Sequence, residues 1–243
     1  MNSADQELDR IRAVYAAYDR SARVQRRWNP DNLGNVAMER EKARRIERLL
    51  HGTGHWPAGD DCVLEIGCGA GDVLEGLRLL GIAEQNLYGV DLLPDRIAAA
   101  RQHLPAAHLE CGNAAELPFP SGQFSLVLLF TVISSVQSPA MSQALAGEAA
   151  RVLRPGGAVL WYDLRRPNPW NPEVRAVSRG ELQRLFPGFR QELAPATLLP
   201  PLARRLGAAT PQLYPLLAAL PCLRTHWLGL LVKPVAKERT VHA

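Results

Sequence analysis

The fold of this chain is decided by the stretch Val63-Leu64-Glu65-Ile66-Gly67-Cys68-Gly69-Ala70-Gly71-Asp72. Its first four residues indicate a buried strand, the alternate glycines a tight turn, and the residues after Asp72 a helix with one apolar stripe. In an open α/β sheet, a glycine-rich turn at the carboxyl end of the first strand lies where ligands bind. Glycine suits this place because a Cβ would block a ligand's approach and because tight turns can need positive φ.

The glycine spacing differs from that of a dinucleotide-binding fingerprint. The fingerprint is G-x-G-x-x-G, whereas Asp72 takes the place of its third glycine here, so a pyrophosphate is less well served. Asp91 ends the next predicted strand, where a carboxylate can accept hydrogen bonds from both hydroxyls of a ribose. Alternatively, Asp91 only caps the helix that begins near Pro94. The two roles can coexist.

Short apolar segments alternate with helical patterns from Asp61 onward. This βαβ repetition predicts an open, mostly parallel sheet with helices on both faces. The predicted strands are Cys62–Ile66, Asn86–Val90, Ala107–Cys111, Phe124–Phe130 and Ala158–Tyr162, followed by Arg190–Ala194 and Trp227–Lys233.

The two ends of the chain have a different texture. The first fifty residues lack a strand signal and predict two helices with a break at Asn29-Pro30. We therefore expect residues 1–58 to form an N-terminal helical cap and residues 59–243 to form the core. Residues 195–223, rich in Pro and Leu, are expected to be a lid before the last strand; we call them the insertion.

Composition excludes several classes of protein. The 243 residues are 47% hydrophobic and 21% charged, which is ordinary for a globular chain. The apolar runs Phe124–Val136 and Leu228–Val232 are shorter than the roughly 20 residues of a membrane-spanning helix, and Met1–Arg10 lacks a signal-peptide core. We expect a cytoplasmic protein without a membrane span.

Charge and cysteine patterns argue against two kinds of ligand. Much of the net charge of +4 lies in Arg20–Arg48, where acids are interleaved, as on a solvated helix face. No nucleic acid is therefore expected as a partner. The four cysteines stand far apart without a C-x-x-C pair, so no metal site is expected.

Taken in order, several motifs together resemble the class I S-adenosylmethionine-dependent methyltransferases of domain type 11. The resemblance covers about residues 61–163. It implies a Rossmann-like, seven-stranded sheet with an antiparallel last strand, and S-adenosyl-L-methionine as cofactor. The motifs that carry it are Glu65–Gly71, Gly89–Asp91, Cys111–Ala114, Leu117–Phe119, Phe124–Phe130 and Leu153–Gly157.

The resemblance also assigns roles to residues. It implies that the loop glycines pass under the amino-acid portion of the cofactor, that Asp91 holds its ribose and that Leu92 packs on its adenine. Asn113 stands where the family commonly has Asp, but its amide oxygen can still accept from the adenine amine. The expected cofactor-binding residues are Glu65, Gly67, Cys68, Gly69, Gly71, Asp91, Leu92, Asn113, Ala114 and Phe130.

A hydroxyl acceptor would benefit from a general base near the carboxyl edge of the sheet. Asp163 follows the fifth predicted strand and is the first candidate, although it can instead pair with Arg165 or Arg166. His226 is the second candidate, or else a surface residue. We expect the start of an antiparallel strand to lie at the opposite edge, unless the insertion folds over the site.

Substrate choice is expected to come from outside the shared core. Aromatic residues Tyr15, Tyr18 and Trp170 can line an apolar pocket or simply pack between lid and core. The loop that contains Arg165, Arg166, Asn168 and Trp170 can supply contacts to an anionic group through its arginines.

The predicted function is methyl transfer to a small-molecule acceptor, at a hydroxyl oxygen. Such an activity would suit small-molecule or natural-product biosynthesis. The alternatives are methylation of nitrogen or carbon, a macromolecular acceptor, a nicotinamide-dependent oxidoreductase and a non-catalytic cofactor-binding protein. After the fourth strand the chain lacks the Asn/Asp-Pro-Pro-aromatic motif of enzymes that methylate planar amino groups, which argues against adenine or glutamine side chains as targets.

Overall fold

A seven-stranded sheet forms the centre of the computed structural model, which describes residues 3–235. The strand order is β3-β2-β1-β4-β5-β7-β6. The strands are β1 (Val63–Ile66), β2 (Leu87–Asp91), β3 (His108–Cys111), β4 (Phe124–Phe130), β5 (Leu153–Leu164), β6 (Arg190–Leu198) and β7 (Arg224–Val232).

The first five strands are parallel, and β7 runs antiparallel to both β5 and β6. The predicted α/β class, with a mostly parallel sheet and an antiparallel last strand, is therefore confirmed. One expectation about β7 is wrong. Leu164 at the end of β5 pairs with His226 near the start of β7, because an antiparallel strand begins where its parallel neighbour ends. His226 thus lies at the carboxyl edge of the sheet, where ligands bind.

Three strands extend by three or more residues beyond their predicted bounds, and one of them, β7, begins at Arg224 rather than Trp227. Strand β6 continues past Ala194 through Pro195 to Leu198; it is an edge strand, where a proline does not remove a ladder hydrogen bond that a central strand would need. Strand β5 begins at Leu153 rather than Ala158, with a register shift opposite Phe124 and Leu126. Residues Arg154–Gly157, which sequence analysis gave as a motif before the strand, therefore lie within β5 at an irregular, bulge-like part of its pairing with β4.

The helices cover both faces of the sheet, and three rather than two precede it. A six-residue helix, which was not predicted, begins after the N-cap Ser21 and ends before Asn29-Pro30. The helices are α1 (Ser3–Arg20), α2 (Ala22–Arg27), α3 (Leu33–Thr53), α4 (Asp72–Leu79), α5 (Pro94–His103), α6 (Pro139–Val152), α7 (Arg179–Leu185), α8 (Pro200–Arg205) and α9 (Thr210–Ala218).

Local signals explain where several helices begin. Asn32 accepts from the backbone N–H groups of Gly34 and Asn35, while Ser138 and Ser178 accept from the third residue of α6 and α7. Each such cap satisfies a backbone donor that the first turn leaves free. None of the helices within residues 3–235 has the length and apolarity needed to cross a bilayer.

The core has three parts. One apolar cluster lies on each face of the sheet, centred on Trp161 and Leu129 on one side and on Leu128 and Leu160 on the other. A third, smaller cluster joins α3 to the insertion, with the members Met38, Leu198, Ala203, Tyr214 and Ala218. The insertion is thus packed against helix α3.

Candidate cofactor and acceptor site

The glycine loop crosses the carboxyl end of β2. The backbone N–H groups of Gly67 and Cys68 both donate to the carbonyl oxygen of Val90, at 2.7 and 3.1 Å. Gly69 has φ +55, and a Cβ built on it would meet no protein atom within 4 Å. The loop therefore presents a backbone face to open space, as a ligand-binding turn does.

Asp91 fastens this loop. Its Oδ2 accepts from Gly69 N and its Oδ1 from Leu93 N, both at 2.9 Å. The carboxylate is buried, yet each oxygen has a second lone pair with which it can accept another donor. Asp91 thus holds the turn before α5 and still has the capacity to accept from a ligand's hydroxyls, so the two roles considered for it are compatible.

Next to the loop lies a cavity of about 650 Å³. It contains six of the residues predicted from sequence for the cofactor or for catalysis. These are Glu65, Gly67, Cys68, Gly69, Phe130 and His226. The cavity also takes in Asp19, Trp28, Met38, Glu39, Lys42, Ala70, Asp72, Val73, Asp95, Arg96, Ala99, Thr131, Tyr162, Thr197 and Pro200.

Glu65 is the best indication of a missing ligand in this cavity. The residue is almost fully buried, and its Oε2 has no hydrogen-bond partner among the described residues. Burial raises the pKa of Glu65 well above its ordinary value; the nearby charge of Lys42 opposes the rise, and Asp72 and Asp91 add to it. A buried carboxyl without a partner is costly, so a cationic or hydrogen-donating ligand group would stabilise it.

Cys68 contributes packing to the loop rather than reactivity. Burial raises the pKa of its thiol far above the ordinary range, so the reactive thiolate is absent at neutral pH. A Cβ on Gly89 of the neighbouring strand would lie 2.8 Å from the Cys68 sulfur. Glycine at position 89 therefore lets the loop settle onto β2.

The residues expected to hold adenine lie beside Asp91 and outside the cavity. Leu92 follows β2, while Asn113 and Ala114 follow β3, which pairs with β2. The side-chain oxygen of Asn113 accepts from Ala115 N at 3.0 Å and so stabilises its own turn. The sheet thus brings these residues to the same edge as Asp91, where their adenine role stays a prediction.

His226 is the predicted base that the structure brings to the cavity. Its ring stacks on Tyr162 with 4.7 Å between centroids, and its Nδ1 lies 2.9 Å from Thr225 Oγ1. Its Nε2 has no hydrogen-bond partner within residues 3–235. Burial, and to a lesser degree the charge of Lys42, lowers the pKa of His226 to about 3, so the imidazole is neutral at physiological pH.

Asp163, the first candidate base, is not in the cavity. Its side chain is fully buried, and it accepts from Ser134 N at 3.0 Å and from its neighbour Leu164 N at 2.8 Å. Burial raises its pKa to about 6, against the opposing effect of these hydrogen bonds. It pairs with neither Arg165 nor Arg166. Its contacts indicate that Asp163 anchors the turn after β4 rather than meeting the acceptor.

Three residues that sequence reasoning missed surround His226. Lys42 of α3 lies over the Tyr162 ring, with 5.5 Å from Nζ to the centroid, and pairs with Glu39 at 2.6 Å. The Tyr162 hydroxyl bonds to Thr197 Oγ1 at 2.7 Å. Thr197 has φ +59, unusual for a β-branched residue, and strained backbone of this kind concentrates at functional sites.

Helix α1 is held over the carboxyl edge by its two tyrosines. Tyr15 hydrogen-bonds Ser135 Oγ at 2.9 Å, and Tyr18 donates to Asn171 Oδ1 at the same distance. Desolvation raises the pKa of the Tyr15 hydroxyl, and the charge of Asp91 adds to the rise. The tyrosines therefore close the site near Asp91, although neither lines the cavity.

The loop after β5 does not reach the cavity, contrary to expectation. Arg165 donates to the carbonyl oxygens of Pro221 and Arg224 and lies over the Trp227 ring, so it braces the end of the insertion. Arg166 and Trp170 are exposed, and the Asn168 side chain accepts from Trp170 N within the loop. The structure does not place an anion site there, because Arg165 is engaged by the end of the insertion and Arg166 does not line the cavity.

Comparison with known proteins agrees with this architecture. Residues 64–161 match the family described as "Methyltransferase domain". A "Probable S-adenosylmethionine-dependent methyltransferase" of Mycolicibacterium smegmatis is 33% identical over 167 residues, which are 65% of this chain and 62% of that protein. A "Fatty-acid O-methyltransferase" of the same organism is 40% identical over 126 residues, which are 51% of this chain and 44% of that protein.

A solved structure matches over nearly the whole chain. Geranyl diphosphate C-methyltransferase from Streptomyces coelicolor A3(2) superposes with a TM-score of 0.65, at 16% identity, covering 93% of this chain and 98% of that one. This likeness concerns the fold. The chain matches less than two thirds of the length of either relative named above.

The fold, the glycine loop and these matches define a class I S-adenosylmethionine-dependent methyltransferase domain. The chain contains that domain, with the matched family region at residues 64–161. The resemblance seen in the motifs is thereby confirmed, with S-adenosyl-L-methionine as cofactor, and the dinucleotide alternative is not supported.

Proposed function

We propose that this protein transfers a methyl group from S-adenosylmethionine to a hydroxyl oxygen of a small, uncharged and largely apolar molecule. The observation that carries the proposal is one cavity that joins the glycine loop to the imidazole of His226. Its volume of about 650 Å³ falls in the range of small-molecule sites.

The chain has groups suited to each part of the cofactor. Glu65 and the backbone of Gly67 and Gly69 would hold its amino-acid portion, since Glu65 has an unpartnered oxygen for an ammonium group. Asp91 would accept from the ribose hydroxyls, with Leu92, Asn113 and Ala114 beside the adenine. When bound, S-adenosylmethionine supplies a methyl group on a positively charged sulfur, which leaves as a neutral thioether.

His226 has the protonation state that a hydroxyl acceptor needs. The hydroxyl of Thr225 lies 3.5 Å from the carbonyl oxygen of Thr197, to which only an O–H can donate. This favours the tautomer in which Nδ1–H donates to Thr225, leaving Nε2 as an acceptor. In our proposal, Nε2 orients the acceptor hydroxyl and takes its proton as the oxygen is methylated.

The charges of the cavity favour an uncharged acceptor. Its two cations, Lys42 and Arg96, are each paired with a carboxylate, and further acids remain on the lining. An acidic lining attracts a sulfonium and repels an anionic acceptor. Apolar walls come from Met38, Phe130, Tyr162 and Pro200.

The similarity to a fatty-acid O-methyltransferase supports oxygen as the accepting atom and an apolar acceptor. The acidic lining argues for a hydroxyl rather than a carboxylate on this chain's substrate. A diphosphate, which the structurally similar geranyl diphosphate enzyme binds together with Mg2+, would meet no unpaired Lys or Arg side chain on the described lining of this cavity.

An acceptor panel tests the proposal. The chain is incubated with S-adenosylmethionine labelled in its methyl group and with matched alcohols, phenols, amines and carboxylic acids of equal chain length. We expect methyl ethers from the alcohols or phenols. His226→Gln should lower their kcat at unchanged cofactor affinity, whereas His51→Gln, on a ring that stacks on Trp56 outside the cavity, should not. Methylation of only amines, acids or carbon would overturn the assignment of oxygen.

A further inference from the structure

The outer surface of the insertion is apolar and exposed. The 18 residues from Leu206 to Leu223 contain no charged side chain, and arginines stand on either side. On this surface Leu213, Leu216 and Leu220 are 41, 68 and 48% exposed. The exposed residues between them are Pro215 and Ala219, and Gln212 is the polar exception nearby.

The exposed leucines do not belong to the apolar core of the protein. The opposite face of α9 is already buried through Tyr214 and Ala218, which belong to the apolar cluster with Met38. The Tyr214 hydroxyl donates to Glu41 of α3 at 2.6 Å. Helix α9 is therefore apolar on a second face that the described residues do not cover, and exposed apolar patches of this kind mark interaction surfaces.

The sequence around these leucines is basic. No Asp or Glu occurs between Glu192 and Glu238, whereas Arg204 and Arg205 precede the apolar stretch. The Arg204 guanidinium lies over the ring of Trp28, 4.7 Å from its centroid. Trp28 is itself 61% exposed, and the adjacent helix α2 carries the exposed arginines Arg23 and Arg26.

We propose that the insertion docks this protein onto an anionic lipid bilayer, with Leu213, Leu216 and Leu220 entering the boundary between headgroups and acyl chains. Exposed leucines beside arginines and a tryptophan fit such a boundary, where arginine meets phosphate and tryptophan lies at headgroup depth. A second copy of the chain fits less well, because the same stretch of that copy, residues 193–235, offers arginines and no Asp or Glu to pair with them.

The docking surface adjoins the cavity. Trp28 and Pro200 both line the cavity. Trp28 also lies under the Arg204 guanidinium, and Pro200 begins helix α8, which ends at Arg205 directly before the apolar stretch. Docking would therefore bring the cavity close to molecules dissolved in the bilayer. This consequence rests on the proposed function, whereas the docking itself does not.

Vesicle flotation of the full chain tests the proposal. Vesicles of phosphatidylcholine alone are compared with equal mixtures of phosphatidylcholine and phosphatidylglycerol. We expect binding to the mixed vesicles that weakens as salt is raised, because headgroup attraction is screened. The triple variant Leu213→Ser, Leu216→Ser, Leu220→Ser should lose more than about tenfold in vesicle affinity, since three apolar side chains no longer leave water.

The matched control is Leu79→Ser with Leu80→Ser, which removes two exposed leucines at the end of α4. Vesicle binding of this control should equal that of the unchanged chain. A second variant, Arg23→Gln, Arg26→Gln, Arg205→Gln, should lose the salt-sensitive part of binding to mixed vesicles. Unchanged circular dichroism and Tm show that each variant is folded.

Three results would overturn the proposal. The first is absence of binding to mixed vesicles. The second is equal loss of binding in the triple leucine variant and the Leu79/Leu80 control. The third is a dimer in solution that the triple leucine variant dissociates while no vesicle binding occurs, which would assign the surface to a second copy. None of these results depends on whether methyl transfer is detected.

Discussion

The two sides of the cavity are built in different ways. The centre of the cofactor side lies within residues 63–91, where backbone N–H groups of the β1 turn donate to the Val90 carbonyl oxygen and to the Asp91 side chain of β2. The acceptor side comes from side chains of four distant segments, represented by Lys42, Tyr162, Thr197 and His226. A site built from neighbouring backbone can be recognised from sequence motifs. A site built from distant side chains cannot, because only folding brings those side chains together.

The largest effect should come from the cofactor side. Gly69→Val places a branched side chain at φ +55 in the space where a ligand would lie. We expect it to weaken S-adenosylmethionine binding by more than about a hundredfold, or roughly 2.7 kcal/mol. Isothermal titration calorimetry measures this dissociation constant directly.

Gly81→Val is the matched control for backbone strain. Gly81 has φ +97 and open space around it, but it lies after α4 and outside the cavity. It should bind the cofactor within about a factor of three of the unchanged chain, less than 1 kcal/mol. Equal loss of binding in both variants would mean that strain, and not contact with the ligand, explains the result.

The same contrast explains what could be predicted from sequence. The β1 strand, its turn and the carboxylate of Asp91 at the end of β2 follow one another within thirty residues, so their geometry is fixed by local pattern and by the rule for parallel sheets. Strand β4 has its predicted bounds, because a continuous apolar run of this length between turn residues is typical of a buried strand.

The acceptor side was less accessible to prediction because its signals are ambiguous. Lys42 lies in a charge run that is typical of a solvated helix face, and no pattern distinguishes it there. Asp163 was correctly placed at the sheet edge, yet side chains alternate along a strand, so Tyr162 enters the cavity and Asp163 the opposite face. The sequence shows that successive side chains of the strand point to opposite faces, but it does not show which face lies toward the ligand.

The second prediction concerns His226, whose lowered pKa makes stability depend on pH. An ordinary His gains a proton in the unfolded chain as pH falls below about 6.5, whereas the folded His226 stays neutral to about pH 3. Acid therefore favours the unfolded state. Removing this titration in His226→Gln should reduce the loss of stability between pH 7 and pH 5 by at most about 2 kcal/mol.

Urea unfolding of both proteins at the two pH values measures this difference. The comparison between variants is needed because Asp163, with its pKa raised to about 6, titrates with the opposite sign: the folded chain gains stability as it takes up that proton. Equal pH dependence in the two proteins would show that His226 is solvated rather than held neutral by burial.

Asp91→Ala should have the next largest effect. The carboxylate can accept two ribose hydroxyls in charge-assisted hydrogen bonds, whose loss water partly offsets. We expect S-adenosylmethionine affinity to fall by more than about tenfold, or 1.4 kcal/mol. Asp61→Ala is the control, because Asp61 precedes β1 at the opposite edge of the sheet and pairs with Arg154 at 2.6 Å. A folded Asp91→Ala protein with unchanged affinity would remove Asp91 from the site.

The smallest effect on acceptor binding is expected in the loop after β5, where sequence analysis predicted acceptor contacts and the structure shows none. Arg166 and Trp170 are exposed and line no part of the cavity, so a double variant, Arg166→Gln with Trp170→Ala, removes no contact with a ligand there. Acceptor KM should stay within about a factor of two, less than 0.5 kcal/mol, because exposed side chains away from a site contribute little. His226→Gln, measured with the same acceptor, is the comparison variant, because His226 lines the cavity and its substitution should lower kcat. A large rise in KM for the double variant alone would mean that the loop closes onto the acceptor, and that the acceptor side extends beyond the cavity.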